Sequence, residues 1–174
     1  MLETHRLKLV KPNLSYTDEL YQLHTNKYTP KGIHQNKVAT QDFIKGWMRH
    51  WDEYQFGYFI LIMRDNHEVV GIAGFEYRTI HQQQFLNAYY RIFPSYTGVG
   101  LAFESMEEIA RHLKKHDTIT PKLIRTNQYN TNSIKLAQKL GYNYDANWDD
   151  VINKGDRCFL TYKRWIITKS MMNS

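Results

Sequence analysis

Two glycines stand where a predicted strand gives way to a predicted helix. The segment runs from Pro94 through Thr97-Gly98-Val99-Gly100 into an apolar helical pattern. The first backbone N–H groups of a helix have no partner inside it and carry the positive end of its dipole. Glycines let a phosphate approach the backbone and let N–H groups converge on it. The segment therefore predicts a pyrophosphate cradle, with an ordinary turn as the alternative.

Two other phosphate-binding motifs do not fit this segment. No Gly-Lys-Ser/Thr follows the glycines, which excludes the Walker motif. The dinucleotide fingerprint requires a third glycine, and Phe103 occupies that position.

The segment resembles the central motif of the GNAT acetyltransferases, in the branch that includes the ribosomal-protein N-terminal acetyltransferases. That motif reads strand, Pro, then Gln/Arg-x-x-Gly-x-Gly/Ala at the start of the third helix. Thr97-Gly98-Val99-Gly100-Leu101-Ala102 fits it, with Pro94 before and Glu104 after. Thr97 replaces the usual Gln, Arg or Trp, and Val99 replaces the usual Lys or Arg.

Three further segments extend the resemblance over essentially the whole chain. Asn130-Thr131-Asn132-Ser133 and Lys139-Leu140-Gly141-Tyr142 are similar to the branch's Asn-x-x-Ser and Lys-Leu-Gly-Phe. Glu3-Thr4-His5-Arg6-Leu7 resembles its Glu-Thr-x-Arg-Leu opening, and Trp47 stands where its second helix often has tryptophan. Jointly, the motifs are more specific than any one of them.

The resemblance implies an α/β GNAT fold and an enzyme. The expected fold is a mixed, mostly antiparallel sheet of about seven strands with about four helices, forming one domain over residues 1–174. The implied reaction moves an acetyl group from acetyl-CoA, a co-substrate, to a primary amine of a small molecule or a protein N-terminus. No metal is expected, and the sequence does not identify the acceptor.

By resemblance, the coenzyme contacts one strand, the glycine turn and one helix start. The pantetheine arm is expected to pair with the main chain near Ile92 and Phe93, where the strand diverges from its neighbour. The pyrophosphate is expected at Thr97, Gly98, Val99, Gly100, Leu101 and Ala102. Asn130 is expected to touch the pantetheine arm, and a plain helix cap is the alternative for it.

Acetyl transfer also needs a neutral amine and a protonated leaving thiolate. Ser133 matches the family serine near the coenzyme sulfur, although a first-turn serine bonded only to backbone is the alternative. Ala88 stands where relatives often carry a glutamate, so the base is open. Glu76 is the first candidate and His81 the second, while a surface role for each, or a water chain as the base, remains an alternative.

Hydrophobic spacing predicts the elements that position these residues. Ser15 is expected to cap a first helix, reaching Asn26, and Thr40 a second, with Phe43, Trp47 and Trp51 as its apolar stripe. The third helix carries Ala102, Met106, Ile109 and Leu113, and the fourth begins at Asn130 or Asn132 and ends at Gly141. Residues 28–32 form a loop. The expected strands are 4–10, 58–63, 69–75, 85–93, 123–126, 142–147 and 157–166.

Composition narrows the class of protein. Lys and Arg outnumber Asp and Glu by 23 to 17, a net charge of +6 that favours anionic partners. A small basic RNA-binding protein is one rival hypothesis, but no dense basic stripe or RNA-binding motif supports it. A non-catalytic CoA-binding module of the same fold is the other.

Cellular context follows from what the chain lacks in sequence. The single cysteine, Cys158, cannot form an internal disulfide, and we expect neither a signal peptide nor a membrane-spanning helix from the apolar pattern. A cytoplasmic monomer or homodimer, without membrane or nucleic-acid partners, is expected.

Overall fold

The computed structural model describes residues 1–25 and 34–161. Four helices are α1 (Thr17–Thr25), α2 (Lys37–Tyr54), α3 (Leu101–Leu113) and α4 (Thr131–Lys139). The strands are β1 (Leu2–Glu3), β2 (Leu7–Val10), β3 (Tyr58–Met63), β4 (Val69–Ile80), β5 (Gln83–Ile92), β6 (Lys122–Asn127), β7 (Asn143–Tyr144) and β8 (Asp156–Leu160). None of the described helices is long and apolar enough to cross a membrane.

The strands form one eight-stranded sheet in the order β1-β2-β3-β4-β5-β6-β8-β7 over the described residues. The expected mixed, mostly antiparallel sheet with four helices is confirmed, with eight strands where about seven were expected. Strands β5 and β6 pair in parallel, with Leu86 opposite Lys122 and Asn87 opposite Leu123. The described residues divide into two compact units, one within residues 1–76 and 89–118 and the other of residues 77–88 and 119–161.

Helices α1 and α2 of the first unit bury their apolar sides together with β3 and β4. The cluster contains Leu20, Leu23, Ile44, Trp47, Tyr58, Ile60 and Ile72. Trp51 Nε1 donates to the Tyr58 carbonyl at 2.7 Å, which satisfies the buried indole. Leu101, Met106, Ile109 and Leu113 of α3 are buried as well.

The second unit has a core around Trp148. Phe85 meets Trp148 edge to face, with ring centroids 4.8 Å apart, and Leu123 and Leu160 pack in the same cluster. Cys158 is buried there and donates to the Trp148 carbonyl at 3.1 Å. Burial raises the pKa of its thiol to about 12, so this cysteine is a packing residue.

Several predicted boundaries were wrong at the chain's first helices and at its first and last strands. The strand expected over 4–10 covers only Leu7–Val10, because the Thr4 N–H donates to the Leu7 carbonyl at 2.8 Å and turns the chain between β1 and β2. Asn36, not Thr40, caps α2 by accepting from the Ala39 N–H at 2.8 Å. Strand β7 is shorter than 142–147. The loop 28–32, Asn26 and the end of the strand expected over 157–166 lie outside the described residues.

The apolar stripe of α2 differs from the prediction at one position. Trp47 and Trp51 are buried, but Ile44 takes the next inward position and Phe43 is 44% exposed. The core-facing stripe is therefore turned by about one residue relative to the spacing of four, as helical geometry allows.

Candidate active site

Two left-handed glycines shape the turn that leads from β5 into α3. Gly98 has φ of 82° and Gly100 has φ of 86°, a conformation that residues with a Cβ adopt only under strain. Gly100 is the N-terminal cap of α3, and among the described residues no side chain caps the helix there. Gly98 faces open space, since no described atom beyond its chain neighbours comes within 4 Å of the position a Cβ would take. The turn can therefore present backbone donors to an anion.

Side-chain hydrogen bonds stabilise the segment before the turn and the turn itself. Before it, Pro94–Tyr96 form a short 3₁₀ turn, and the Tyr96 hydroxyl donates to the Glu68 carboxylate. Within it, the Thr97 hydroxyl donates to the Pro94 carbonyl at 2.8 Å. Thr97 thus stabilises the turn by bonding to the main chain of the preceding 3₁₀ turn.

Main-chain contacts differ between Ile92 and Phe93, the two residues that the resemblance assigns to the pantetheine arm. The Phe93 N–H donates to the Val70 carbonyl at 2.8 Å, and the Phe93 carbonyl accepts from the Tyr96 N–H at 2.9 Å. Because successive strand residues direct their main-chain groups to opposite edges, Ile92 directs its N–H away from β4. Of the two, Ile92 has the orientation that pairing with a pantetheine arm requires.

Arg6 reaches the same turn from the bend between β1 and β2. Its Nη1 donates to the Val99 carbonyl at 2.9 Å, and its Nε lies 2.7 Å from Glu104 Oε2. The sequence alone indicated Arg6 only as part of the opening motif. Glu104, the partner of Arg6, lies 98 positions away in the sequence, so this pairing can be recognised only in the folded structure.

Asn130 and Ser133 belong to the second unit, at the start of α4. The Asn130 side chain accepts from the Ser133 N–H at 3.1 Å, so Asn130 is the N-cap, one of the two positions expected. Ser133 is 9% exposed. The cap holds both side chains at the first turn of the helix.

The two candidate bases have different surroundings. Glu76 lies on β4 in the first unit and is only 6% exposed, contrary to a surface role. His81 is exposed in the turn between β4 and β5, in the second unit, with φ of 45°. Ala88 is a buried residue of β5.

A second polar cluster, absent from the sequence predictions, lies between α1, α2 and β5 in the first unit. His24 Nδ1 donates to the Leu20 carbonyl at 2.7 Å, so its Nε2 accepts from the Tyr89 hydroxyl at 2.9 Å. Arg91 in turn bonds to Tyr89. His34 stacks on His24 with ring centroids 4.0 Å apart. Among the described residues, no group of His, Cys, Asp and Glu side chains is arranged to hold a metal ion.

Comparison with solved structures identifies acetyltransferases of the same fold. A protein from Bordetella pertussis assigned to the GNAT acetyltransferases has a TM-score of 0.80 at 20% identity, covering 91% of this chain and 96% of that one. An acetyltransferase from Salmonella typhimurium that modifies the N-terminal serine of a ribosomal subunit protein has a TM-score of 0.72 at 15% identity, covering 91% and 95%.

A microcin self-immunity acetyltransferase, in complex with acetyl-CoA and AMP, has a TM-score of 0.71 at 14% identity, covering 90% of this chain and 92% of that one. At these identities the likeness concerns the fold. No curated protein matches the chain by sequence.

The family assignment comes from the sequence pattern itself. The model of the acetyltransferase (GNAT) domain matches residues 6–143, from the arginine at the glycine turn to the first residue of β7. The chain therefore belongs to the GNAT acetyltransferase family and is an acetyltransferase.

Proposed function

We propose that this chain transfers an acetyl group from acetyl-CoA to a primary amine, of a small molecule or of a protein N-terminus. The observation that carries the proposal is the turn at Gly98 and Gly100, open at the start of α3 in a member of the GNAT family. Structural neighbours in complex with acetyl-CoA or CoA support the choice of donor.

The coenzyme's parts would meet different elements of the chain. The pyrophosphate would bind the backbone N–H groups of the turn, over Thr97, Gly98, Val99, Gly100, Leu101 and Ala102. The pantetheine arm would pair with Ile92, with Phe93 adjoining, and would contact Asn130. The Phe93 N–H, which donates to the Val70 carbonyl, supports this assignment because the Ile92 N–H then points away from β4.

In the reaction, the neutral amine nitrogen attacks the thioester carbonyl carbon. The C–N bond forms, the C–S bond breaks, the amine loses a proton and the thiolate gains one. We assign proton donation to Ser133 and proton removal to Glu76. Glu76 is 6% exposed on β4, and this burial supports its choice over the exposed His81.

The acceptor is proposed only as a class. The Salmonella typhimurium neighbour acts on a protein N-terminus, which makes peptides with a free N-terminus the first acceptors to examine. We also propose that the whole chain works as one acetyltransferase domain, located in the cytoplasm.

An acceptor-panel assay tests the proposal. Acetyl-CoA is incubated with the protein and with peptides, polyamines or aminoglycosides, and free thiol release is measured beside the acetylated product by mass. Thiol release that depends on one amine acceptor supports transfer. Tight CoA binding with no transfer to any amine would instead favour the non-catalytic CoA-binding module.

A pair of glycine variants locates the coenzyme. Gly100→Val should abolish or strongly weaken CoA binding, since its side chain strains a left-handed position and crowds the turn. Gly141→Val is the matched control, because Gly141 has φ of 82° at the end of α4. Equal loss of affinity in both folded variants would argue against the turn as the coenzyme site.

A further inference from the structure

Arg6, from the opening Glu-Thr-x-Arg-Leu motif, contacts the backbone of the glycine turn. Arg6 Nη1 donates to the Val99 carbonyl at 2.9 Å, and its Nη2 lies 3.6 Å from the position that a Cβ on Gly100 would take. The guanidinium therefore lies directly against the peptide unit between Val99 and Gly100.

Glu104 holds this arginine in place. Glu104 Oε2 accepts from Arg6 Nε at 2.7 Å, and Oε1 accepts from the Arg6 N–H at 2.8 Å and from the Thr4 hydroxyl at 2.6 Å. Burial opposes ionisation of this carboxyl, but the hydrogen bonds from Thr4 and Arg6 outweigh it and lower the pKa of Glu104. The carboxylate is thus charged at neutral pH and fixes the arginine through two atoms.

The arginine fixes the direction of a backbone donor. In a planar trans peptide the C=O and the N–H point in opposite directions. With the Val99 carbonyl held on the Arg6 side, the Gly100 N–H must point to the other side of the turn. That direction is set before any ligand binds, which lowers the ordering cost of binding.

The arginine also supplies charge where the turn's own side chains do not. Thr97 and Val99 are neutral, and the Val99 side chain is 57% exposed. The Glu104 carboxylate offsets part of the Arg6 charge. Arg6 therefore affects coenzyme affinity mainly by directing the Gly100 N–H, and its positive charge has the smaller effect.

We infer that Arg6 is a positioning residue for coenzyme binding: braced by Glu104, it aims the Gly100 N–H at the pyrophosphate of acetyl-CoA. The inference rests on the proposed coenzyme site at this turn. It assigns the Thr4–Arg6–Glu104 group a role in ligand affinity as well as in attaching the N-terminal strands to α3.

Calorimetry on the full chain tests the role. Arg6→Gln should weaken CoA binding about tenfold or more, the scale of a lost charge-assisted hydrogen bond. Arg6→Lys keeps the charge but lacks the fork that bonds Glu104 and Val99 together, so it should recover only part of the affinity. S-acetylpantetheine, which lacks the pyrophosphate, should compete equally well in each variant.

Arg64→Gln is the matched control. Arg64 Nη1 donates to the Thr4 carbonyl at 2.8 Å, so it also ties the N-terminal segment, but to the residue that follows β3 and not to the glycine turn. It should lower the melting temperature while leaving CoA affinity within about twofold.

The outcomes separate the inference from the proposed function. If Arg6→Gln behaves as Arg64→Gln does, losing stability but not affinity, Arg6 is only a structural tie and the inference is wrong. If Arg6→Gln does not fold, Arg6→Lys decides, and unchanged CoA affinity in that variant overturns the inference. If the wild-type chain binds no CoA at all, the proposed function fails first.

Discussion

The rings of His24 and His34 stack with their planes inclined by 13° and their centroids 4.0 Å apart. Burial, reinforced by the charge of Arg91, lowers the pKa of His24 to about 3 and that of His34 to about 4. Both rings are therefore neutral in the folded protein at neutral pH. Phe43 extends the stack on the far side of His34, with centroids 4.4 Å apart.

This pair predicts a loss of stability in weak acid. Below about pH 6.5 the unfolded histidines take up protons that the folded ones do not, so the free energy of unfolding falls as pH falls towards 4. His24 alone should contribute a loss of about 2 kcal/mol between pH 7 and pH 5. Urea unfolding at the two pH values measures it.

Two variants make that measurement specific. His24→Gln should flatten the pH dependence of the unfolding free energy, whereas His67→Gln, in the exposed turn between β3 and β4, should not. Imidazole resonances of His24 that titrate near pH 6.5 in the folded protein would contradict the prediction.

A glycine of β4 sets the spacing to β5 beside the proposed pantetheine strand. A Cβ on Gly71 would lie 2.2 Å from the Arg91 carbonyl oxygen and 3.0 Å from the Ile92 Cα. Gly71→Ala should therefore cost about 1–3 kcal/mol of stability, because backbone must move. Chemical unfolding checks this value.

Gly46→Ala is the control with the opposite sign. Gly46 lies inside α2, where the nearest described atom to its Cβ position is the Arg49 Nη2 at 3.8 Å. The same substitution should stabilise the protein here by up to about 1 kcal/mol. Similar destabilisation by both variants would mean that the close approach at Gly71 is not the cause.

How far the sequence predicts this protein depends on the range of the interactions involved. The strands β3 to β5, helix α3 and the glycine turn follow from local periodicity and from backbone freedom at Gly98 and Gly100, which neighbouring residues encode. The Asn130 cap also follows from local chemistry, although Asn132 fits the same pattern.

Contacts between distant segments could not be predicted in this way. Thr4 and Arg6 meet Glu104 only because β2 and α3 pack together, and nothing in the local pattern of either segment indicates the partner. The histidine stack likewise connects distant segments. His24 on α1 stacks on His34, which precedes α2, and hydrogen-bonds to Tyr89 on β5. Both His24 and Arg6 belong to polar groups whose role depends on the fold that surrounds them.

Val99 offers a gain-of-affinity prediction. Its side chain is 57% exposed at the turn, and no side chain of the Thr97–Gly100 segment carries a positive charge. Val99→Lys should tighten CoA binding by up to about 1 kcal/mol, the scale of an exposed charge contact. Val38→Lys, at an exposed valine on α2 that is 65% accessible, adds the same net charge away from the turn.

Calorimetry at low and high salt separates the two variants. A gain that is specific to Val99→Lys and shrinks with salt would locate the pyrophosphate beside this residue. No gain would mean that the backbone donors and Arg6 already satisfy the pyrophosphate.

Ser133 provides the test of proton donation. Its N–H donates to the Asn130 side chain at 3.1 Å, which fixes the first turn of α4. A group that protonates the leaving thiolate acts mainly in the transition state, so Ser133→Ala should lower kcat and leave KM for acetyl-CoA nearly unchanged. Because a thiolate leaves readily, the loss should lie at the low end of general-acid effects, near ~10²-fold.

The control is Ser15→Ala, at an exposed serine in a 3₁₀ turn whose N–H donates to the Asn13 side chain at 2.9 Å and whose hydroxyl donates to the same side chain. This variant removes a serine hydroxyl from an asparagine-capped turn that has no proposed catalytic role and should not change kcat. Both enzymes are compared with an identified acceptor under conditions where chemistry limits turnover. A loss of less than about threefold in Ser133→Ala would make Ser133 a helix-start residue that bonds only to backbone. A raised KM at constant kcat would make it a coenzyme contact, because binding energy lost equally from ground and transition states leaves kcat unaltered.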